Sequence, residues 1–323
     1  MRIVIPGGTG QVGTLLARAF HADGHDVVVL SRRPGPARWR VIAWDGASIG
    51  PWTAELDGAD VVINLAGRSV NCRYTPENRA AILSSRVESA RVVGDALKRA
   101  VRPPRLWLQA STATIYAHRF DAPNDEATGI LGGHEPDAPA TWNFSIEVAS
   151  AWERAAREHA PSATRLVLMR SAMVMSPDAG GIFATLLGLV RAGLGGPVAG
   201  GRQYVSWVHE RDFVRALYWL IDHDALSDAV NIASPNPLPY RDFMRVLRRA
   251  AHVPIGLAAT RWMLELGTWA LRTESELVLK SRRVIPGRLL ESGFRFEYPD
   301  WPIAAADLVN RGQSRPESFG RVR

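Results

Sequence analysis

Gly7-Gly8-Thr9-Gly10-Gln11-Val12-Gly13 follows an apolar run, Ile3-Val4-Ile5, and leads into a stretch with apolar residues at helical spacing. This order predicts a strand, a tight turn and a helix. Glycines at such a turn let a pyrophosphate approach the main chain, and the helix N-terminus favours its negative charge. We therefore expect a dinucleotide site. Both Gly8-x-Gly10-x-x-Gly13 and Gly7-x-x-Gly10-x-x-Gly13 fit the spacing, and a glycine-rich turn without a ligand is the alternative.

Length and composition are those of a soluble globular enzyme. The 323 residues suffice for one large α/β domain with a second lobe. Cys72 is the single cysteine, so we expect neither a disulfide framework nor a metal cluster, which suits a reducing cytosol. We see no leader peptide and no apolar run of membrane-spanning length. The sequence thus predicts a cytoplasmic protein without a membrane partner.

The net charge of +7 raises the question of nucleic-acid binding, because clustered arginines neutralise phosphates. Of the 39 basic residues only Lys98 and Lys280 are lysines, which leaves 39 − 2 = 37 arginines. These arginines are scattered along the whole chain. We therefore expect a solvated basic surface and no nucleic-acid partner.

A second apolar run, residues 26–30, ends at Ser31-Arg32-Arg33. An acidic residue near this point binds the ribose 2′-hydroxyl in NAD sites, whereas arginine accommodates a 2′-phosphate. No acid is present here. The two guanidinium groups predict NADP(H), with Arg32 the stronger candidate because it follows the strand end most closely. Two exposed arginines in a loop before Pro34 are the alternative.

Further strand-like runs alternate with helical stretches, and this alternation predicts a parallel, doubly wound Rossmann-type sheet. Asp45 ends one such run and could accept a hydrogen bond from an adenine amino group. Small residues close another strand at Leu65-Ala66-Gly67 and would allow close approach of the cofactor. The cofactor residues expected from the whole pattern are Gly7, Gly10, Gln11, Val12, Gly13, Ser31, Arg32, Arg33, Asp45, Leu65, Ala66, Gly67 and Ser171.

The regular alternation of strand-like and helical stretches ends after a sixth strand, which closes at Arg170-Ser171. We expect a Rossmann domain over residues 1–175 and a smaller, mostly helical substrate lobe over 176–310, with some segments returning to the main sheet. Residues 117–142 are rich in Pro, Gly, Asp and Asn, which predicts a loop over the site. The polar, basic tail at 311–323 is expected to be mobile.

With these pieces placed, the chain resembles the extended short-chain dehydrogenase/reductases, and within them an atypical epimerase-family branch related to nucleoside-diphosphate-sugar epimerases. The resemblance implies the glycine register Gly7, Gly10 and Gly13, and NADP(H) binding. The stretches that carry it are Ile63-Asn64-Leu65-Ala66-Gly67, Arg73-Tyr74-Thr75, Ser85-Arg86-Val87, Trp152-Glu153, Gly180-Gly181, Gly200-Gly201-Arg202-Gln203, Ser206-Trp207-Val208-His209, Arg283-Val284-Ile285-Pro286-Gly287-Arg288-Leu289-Leu290 and Gly293-Phe294.

One departure from the superfamily concerns proton transfer. Active members carry a Tyr-x-x-x-Lys helix, in which the lysine lowers the pKa of the tyrosine so that it can exchange a proton. Alignment through Trp152-Glu153 places Ser145 and Ala149 at those two positions. Both lysines of the chain lie far from this helix in sequence, so the usual proton machinery is missing.

The resemblance leaves three candidate catalytic residues. Thr112 matches the catalytic Ser/Thr position, Tyr116 matches a tyrosine whose role is often structural, and Glu126 matches an acidic position of the branch. His118 stands where the branch usually has glycine. For each of these, a loop residue bonded to the backbone is the alternative.

Four residues of the expected cleft are candidates for substrate contact: Arg73, Arg202, Trp207 and His209. The arginine pair suggests an anionic group on a small-molecule substrate. Two functions remain open: an NADP(H)-dependent oxidoreductase or epimerase for a small or nucleotide-linked substrate, and a catalytically inactive NADP(H)-binding sensor or interaction protein. The sequence does not define an oligomeric state.

Overall fold

A seven-stranded sheet forms the centre of the computed structural model, which describes residues 1–133, 135, 139, 142–259 and 276–313. Its strands are in the order β3-β2-β1-β4-β5-β6-β10, and all neighbouring pairs are parallel. This confirms the predicted doubly wound sheet. The strands of the described chain are β1 (Arg2–Pro6), β2 (Asp26–Ser31), β3 (Arg40–Ala43), β4 (Val61–Asn64), β5 (Leu106–Thr112), β6 (Arg165–Ser171), β7 (Met173–Met175), β8 (Tyr204–Val205), β9 (Trp207–His209), β10 (Asp228–Ile232) and β11 (Leu238–Pro239).

Helices cover both faces of this sheet, which is why its central strands are apolar along their whole length. Alternate residues of β1 enter opposite layers: Ile3 and Ile5 pack in one core and Val4 in the other. The helices are α1 (Gln11–Ala22), α2 (Pro76–Arg99), α3 (Asn143–His159), α4 (Ile182–Arg191), α5 (Glu210–Asp222), α6 (Tyr240–Ala250), α7 (Glu276–Leu279), α8 (Gly287–Glu291) and α9 (Trp301–Gln313), with 3₁₀ turns at Pro51–Glu55 and Ala113–Ile115.

The strand order reverses at β1, whose neighbours are β2 on one side and β4 on the other. Ligands of doubly wound sheets bind in the crevice outside the carboxyl ends of the strands at such a switch point. The turn after β1 and the end of β4 therefore define where the site lies.

A second core joins α4, α6 and α9 with β7 and β9. Trp301 lies at its centre, where its ring stacks on Phe243 with centroids 4.0 Å apart. Between these elements the chain returns to the main sheet, since α5 packs in the β1 core and β10 pairs with β6. Helix α9 extends to Gln313, so residues 311–313 of the predicted tail are helical, and 314–323 lie outside the described residues.

Residues 276–291 cross back over the carboxyl ends of the strands. The amide of Ile285 donates to the carbonyl of Asn124, and Leu289 is buried in the β1 core. This segment thus brings the second lobe to the edge of the sheet where the site lies. Within the described ranges, none of the helices combines the length and apolar character that a bilayer crossing requires.

Candidate active site and cofactor site

The glycine turn after β1 packs tightly against the protein at two positions and is open at a third. Gly7 has a φ of 75°, and a Cβ there would lie 2.6 Å from the Ala66 Cα; a Cβ on Gly13 would lie 2.4 Å from the Gly8 Cα. A Cβ on Gly10 would meet no atom within 4 Å. The turn therefore leaves room beside Gly10, where the approach of a pyrophosphate requires it.

Helix α1 begins at this opening. Its N-cap, Gly10, is extended and carries no side chain to accept from the first-turn amides, so these donors face the open space. The Gln11 side-chain Nε2 is buried and has no hydrogen-bond partner within the described part of the chain. Gly181, from the second lobe, packs closely against this amide: a Cβ at Gly181 would lie 2.3 Å from the Gln11 Nε2. These groups fit a dinucleotide phosphate.

The end of β2 separates a structural serine from two accessible arginines. Ser31 is 4 % exposed; its hydroxyl lies 3.3 Å from the Thr9 hydroxyl and accepts from the Arg33 amide at 3.1 Å. The side chains of Arg32 and Arg33 are exposed and have no charged partner among the residues that the structure describes. Both guanidinium groups are therefore accessible to an incoming anion.

Asp45 is exposed and stabilises its own turn. Its carboxylate accepts from the Ser48 hydroxyl and from the amides of Ser48 and Ala47. These hydrogen bonds, that of the Ser48 side chain foremost, lower the pKa of Asp45 to about 2. The carboxylate is thus ionised and already bonded on one side.

The remaining predicted cofactor residues lie at the carboxyl ends of neighbouring strands. The Leu65 amide donates to the Pro6 carbonyl at 2.9 Å, which holds Leu65-Ala66-Gly67 against the glycine turn. Ser171 ends β6 and is paired in register with Thr112 at the end of β5. The structure thus brings the glycine turn, the end of β4 and Thr112 to one edge of the sheet.

A cavity of about 130 Å³ opens beside Thr112, between the end of β5 and helices α2 and α3. Thr112 itself accepts from the Thr114 amide at 3.2 Å. Most of the wall is apolar, so polar groups are few and each can orient a ligand. The lining residues are Val70, Tyr74, Ile82, Arg86, Thr112, Thr114, Phe144, Ser145, Val148, Ala149 and Trp152.

Arg86 is the one guanidinium of this wall, and sequence analysis did not single it out as a site residue. It donates to the carbonyls of Arg68 and Ile82 at 2.9 and 3.1 Å and lies 5.1 Å over the Trp152 ring. Burial lowers the pKa of Arg86 to about 10. It forms no ion pair with the carboxylates of the described residues.

The second lobe places a carboxylate against Ser145, which lines this cavity. The Ser145 hydroxyl donates to the Glu276 Oε2 at 2.6 Å, across 131 residues of chain. Glu276 is 3 % exposed and begins α7. Sequence analysis treated Ser145 only as a missing tyrosine, and no local pattern around residue 276 indicates this contact.

Lys280 also reaches this region, although it is remote from α3 in sequence. Its ammonium group donates to the Thr114 carbonyl at 2.9 Å, and the Arg282 Nε donates to the Thr114 hydroxyl at 3.0 Å. Burial lowers the pKa of Lys280 to about 8. The absence of a lysine from the α3 helix therefore does not mean that no lysine lies near the site.

Tyr116 belongs to a buried network beneath the strand ends and does not line the cavity. Its hydroxyl donates to Asn231 at 2.9 Å and accepts from Arg170 at 3.0 Å, and Arg170 pairs with both oxygens of Glu153 at 2.8 Å. Burial raises the pKa of Tyr116 although Arg170 opposes this shift. The arginine contact thus does not make the phenol a base at neutral pH.

Glu126 lies behind this network. Its carboxylate accepts from the amides of Asn231 and Arg288 at 2.7 and 3.3 Å, and burial raises its pKa. His118 is held by Ser281, whose amide donates to its Nδ1 at 2.7 Å. Neither residue lines the cavity.

The four predicted substrate residues are dispersed. Trp207 and His209 are both 0 % exposed; the Trp207 ring packs on Trp301, and His209 caps α5 and bonds to Asp307. Arg73 is exposed in the loop before α2, and Arg202 is exposed with its guanidinium 6.0 Å from the Phe120 ring. The structure does not bring these four to the lining of the cavity.

Comparison with known proteins agrees with this architecture. The model of the NAD dependent epimerase/dehydratase family matches residues 3–233, and the chain belongs to that family, which confirms the resemblance inferred from the sequence motifs. A domain of unknown function, DUF1731, matches residues 259–308.

Two relatives match this chain over nearly their whole length. The epimerase family protein SDR39U1 of Bos taurus is 30% identical over 96% of this chain and 100% of its own length. The epimerase family protein SSP1921 of Staphylococcus saprophyticus is 31% identical over 95% and 99%. The crystal structure of human SDR39U1 isoform 2 with NADPH has a TM-score of 0.82 at 27% identity and covers 96% of this chain and 99% of that one. Its bound NADPH agrees with the cofactor predicted from Arg32.

Proposed function

We propose that this protein binds NADP(H) and transfers hydride to or from a small-molecule substrate, as an oxidoreductase or epimerase. The observation that supports this most directly is the cavity beside Thr112, whose wall is mostly apolar and includes the Arg86 guanidinium. An apolar wall favours hydride transfer because it keeps water from the reacting carbon. The substrate thus combines a compact apolar body, a carbonyl or hydroxyl group near Thr112, and an anionic group.

NADP(H) is supported by the glycine turn and by the end of β2. The opening beside Gly10 and the free amides of α1 would hold the pyrophosphate, and Arg32 and Arg33 would hold the 2′-phosphate. Asp45, the end of β4 at 65–67 and Ser171 lie along the same edge and are proposed as further contacts. When bound, the nicotinamide supplies the hydride donor or acceptor.

Titration of NADPH and NADH, followed by fluorescence, tests the cofactor part of the proposal. We expect NADPH to bind at least ~10-fold more tightly, because a charged hydrogen bond contributes about 1.5–3 kcal/mol. Arg32→Ala should remove this preference and leave NADH affinity unchanged. Arg38→Ala, which alters an equally exposed arginine of the same loop, is the matched control. Equal affinities of the parent protein for both dinucleotides contradict the proposal.

The substrate part is tested with 4-formylbenzoate, which carries an aromatic body, an aldehyde and a carboxylate. We expect NADPH oxidation with this probe, and a lower rate with its neutral methyl ester. Arg86→Met should raise the KM for the acid at least ~10-fold and leave that for the ester unchanged, since only the acid needs the cation. Arg91→Met, an exposed arginine of the same helix, controls for loss of charge. An equal effect on both probes contradicts an anionic substrate.

A catalytically inactive NADP(H)-binding protein is the second candidate, and the specific observation in its favour is Ser145 and Ala149 in place of the tyrosine and lysine. This function predicts tight NADPH binding without NADPH oxidation by carbonyl probes of any charge. The same two assays therefore discriminate the candidates.

A further inference from the structure

We propose that Ser145 and Glu276 form the proton-transfer pair of the cavity, and this inference rests on the proposed hydride transfer. Ser145 is the group that contacts the reacting oxygen of the substrate, and Glu276 is the carboxylate that takes or returns the proton. The pair would replace the missing tyrosine and lysine with a hydroxyl from α3 and a carboxylate from the second lobe.

The geometry is that of a short proton relay. Ser145 and Thr112 both line the cavity, so a substrate oxygen bonded to Thr112 has a second hydroxyl within the same enclosed space. Ser145 donates its own proton to the Glu276 Oε2 at 2.6 Å. The lone pairs of the Ser145 oxygen are consequently directed away from Glu276 and can accept a proton from the substrate. Glu276 is 3 % exposed, which limits direct exchange with bulk water.

Two features of the structure place positive charge beside the Glu276 carboxylate. It lies against the first turn of α3, where the amide dipoles favour a negative charge. Lys280 and Arg282 are the cations that face it electrostatically from the adjoining segment, and the Arg282 Nη2 also donates to the Glu276 carbonyl at 3.5 Å.

Three other ionisable groups complete this environment. Glu135 acts on Lys280 from the loop after β5. Tyr74, on the wall of the cavity, acts on both Arg282 and Arg86. Among the described groups, Lys280 and Arg282 therefore act on Glu276 itself, whereas Glu135 and Tyr74 act on those two cations and Arg86 acts on Tyr74.

The step balances without a further reactant. In the oxidative direction the substrate O–H bond breaks and its proton goes to the Ser145 oxygen, while the original Ser145 proton goes to the Glu276 carboxylate. With the cofactor bound, the oxidised nicotinamide would accept the hydride that leaves the substrate carbon as its C–H bond breaks, and a carbonyl would form. The products would be the carbonyl compound, NADPH and a protonated Glu276; the reductive direction reverses each transfer.

The experiment measures kcat and KM for NADPH-dependent reduction of 4-formylbenzoate from pH 5 to 10. Reduction needs the proton on Glu276, so kcat in the parent protein should fall as pH rises. Glu276→Gln keeps the shape and a hydrogen bond to Ser145 but cannot supply this proton; kcat should drop about 100-fold or more and lose this limb of the pH profile. Ser145→Ala should lower kcat similarly, and Ser145→Thr should restore it.

Controls separate chemistry from folding. Glu210→Gln neutralises another buried carboxylate, at the start of α5, which pairs with Arg311 at 2.6 Å, and should leave the pH profile unchanged. NADPH affinity should be the same in all variants. A Glu276→Gln protein that keeps the parental kcat and pH limb contradicts the proposal while leaving hydride transfer intact.

A second measurement tests the Ser145–Glu276 pair in a protein that shows no turnover. 4-Nitrophenol changes its absorption when it loses its proton, so its ionisation in the cavity reports the charged groups beside it. In the parent protein, with or without NADP⁺, the bound probe should lose its proton at a higher pH than in Glu276→Gln, because the Glu276 carboxylate opposes a second negative charge beside it. Equal ionisation of the probe in the two proteins, together with no reduction of 4-formylbenzoate, contradicts the proposed pair, and NADPH titration then shows independently whether the cofactor site exists.

Discussion

The Lys280 ammonium group donates a hydrogen bond of 2.9 Å to the carbonyl oxygen of Thr114, a residue 166 positions earlier in the chain. Lys280 is 1 % exposed, and Thr114 lines the cavity. The contact attaches the segment after α7 to the turn that follows β5. The wall of the cavity is therefore held in place by residues of both parts of the chain.

Because Lys280 is buried, the free energy of unfolding should vary with pH in the alkaline range. Burial lowers its pKa from 10.5 to about 8, so between pH 8 and 10.5 the unfolded chain binds more protons than the folded one. The free energy of unfolding should therefore rise with pH across this window, by about 3 kcal/mol in total. Urea unfolding of the parent and of Lys280→Met measures the difference, since the variant lacks this rise. Lys98→Met, which changes the only other lysine, should keep it; parallel curves for parent and Lys280→Met would show the prediction to be wrong.

Two alanine substitutions in the glycine turn should separate binding from folding. A Cβ on Gly10 meets no atom within 4 Å and its φ is −73°, so Gly10→Ala should fold normally yet weaken NADPH binding at least ~10-fold by filling the phosphate approach. A Cβ on Gly13 would lie 2.4 Å from the Gly8 Cα, so Gly13→Ala should lower the free energy of unfolding by about 1–3 kcal/mol. NADPH titration and thermal unfolding distinguish the two. Unaltered NADPH affinity in Gly10→Ala excludes the proposed path of the pyrophosphate.

Removal of one partner of the Glu153–Arg170 pair should lower the free energy of unfolding more than replacement of both partners by apolar residues. Their side chains are 2% and 9% exposed, and the carboxylate also accepts from Ser111 at 2.6 Å. Glu153→Leu alone should cost about 3–5 kcal/mol, because it leaves the guanidinium buried without its counter-ion. Combined with Arg170→Met it should cost less than either single change. A double-mutant cycle in denaturant measures this, and additive losses would refute the coupling.

Most of the fold could be predicted because its signals are local. The apolar runs of the central strands and the glycines after β1 fix a strand, a turn and a helix within a few residues of one another. The strand-helix alternation then specifies a parallel sheet. The sequence also predicts that some segments of residues 176–310 return to the main sheet, but it does not specify that α5 and β10 are these segments.

The candidate site could be predicted only where its parts follow strand ends. Thr112 and the glycine turn are of this kind. Glu276 and Arg86 are not, because the contact of Glu276 with Ser145 and the place of Arg86 in the wall depend on how distant segments pack, which no local pattern shows. His209 is the opposite case: it belongs to a stretch that carries the family resemblance and is a candidate for substrate contact, yet it caps α5 by accepting from the Arg211 amide at 3.2 Å.

The hydrogen bond between Ser145 and Glu276 joins the stretch matched by the epimerase/dehydratase family to the stretch matched by DUF1731. A chimera that received its C-terminal stretch from another member of the family would also receive that member's residue opposite Ser145. Exchange of this C-terminal stretch should thus change the group that bonds to Ser145 while the dinucleotide site stays as it is. The junction after residue 233 is therefore a suitable boundary for such chimeras.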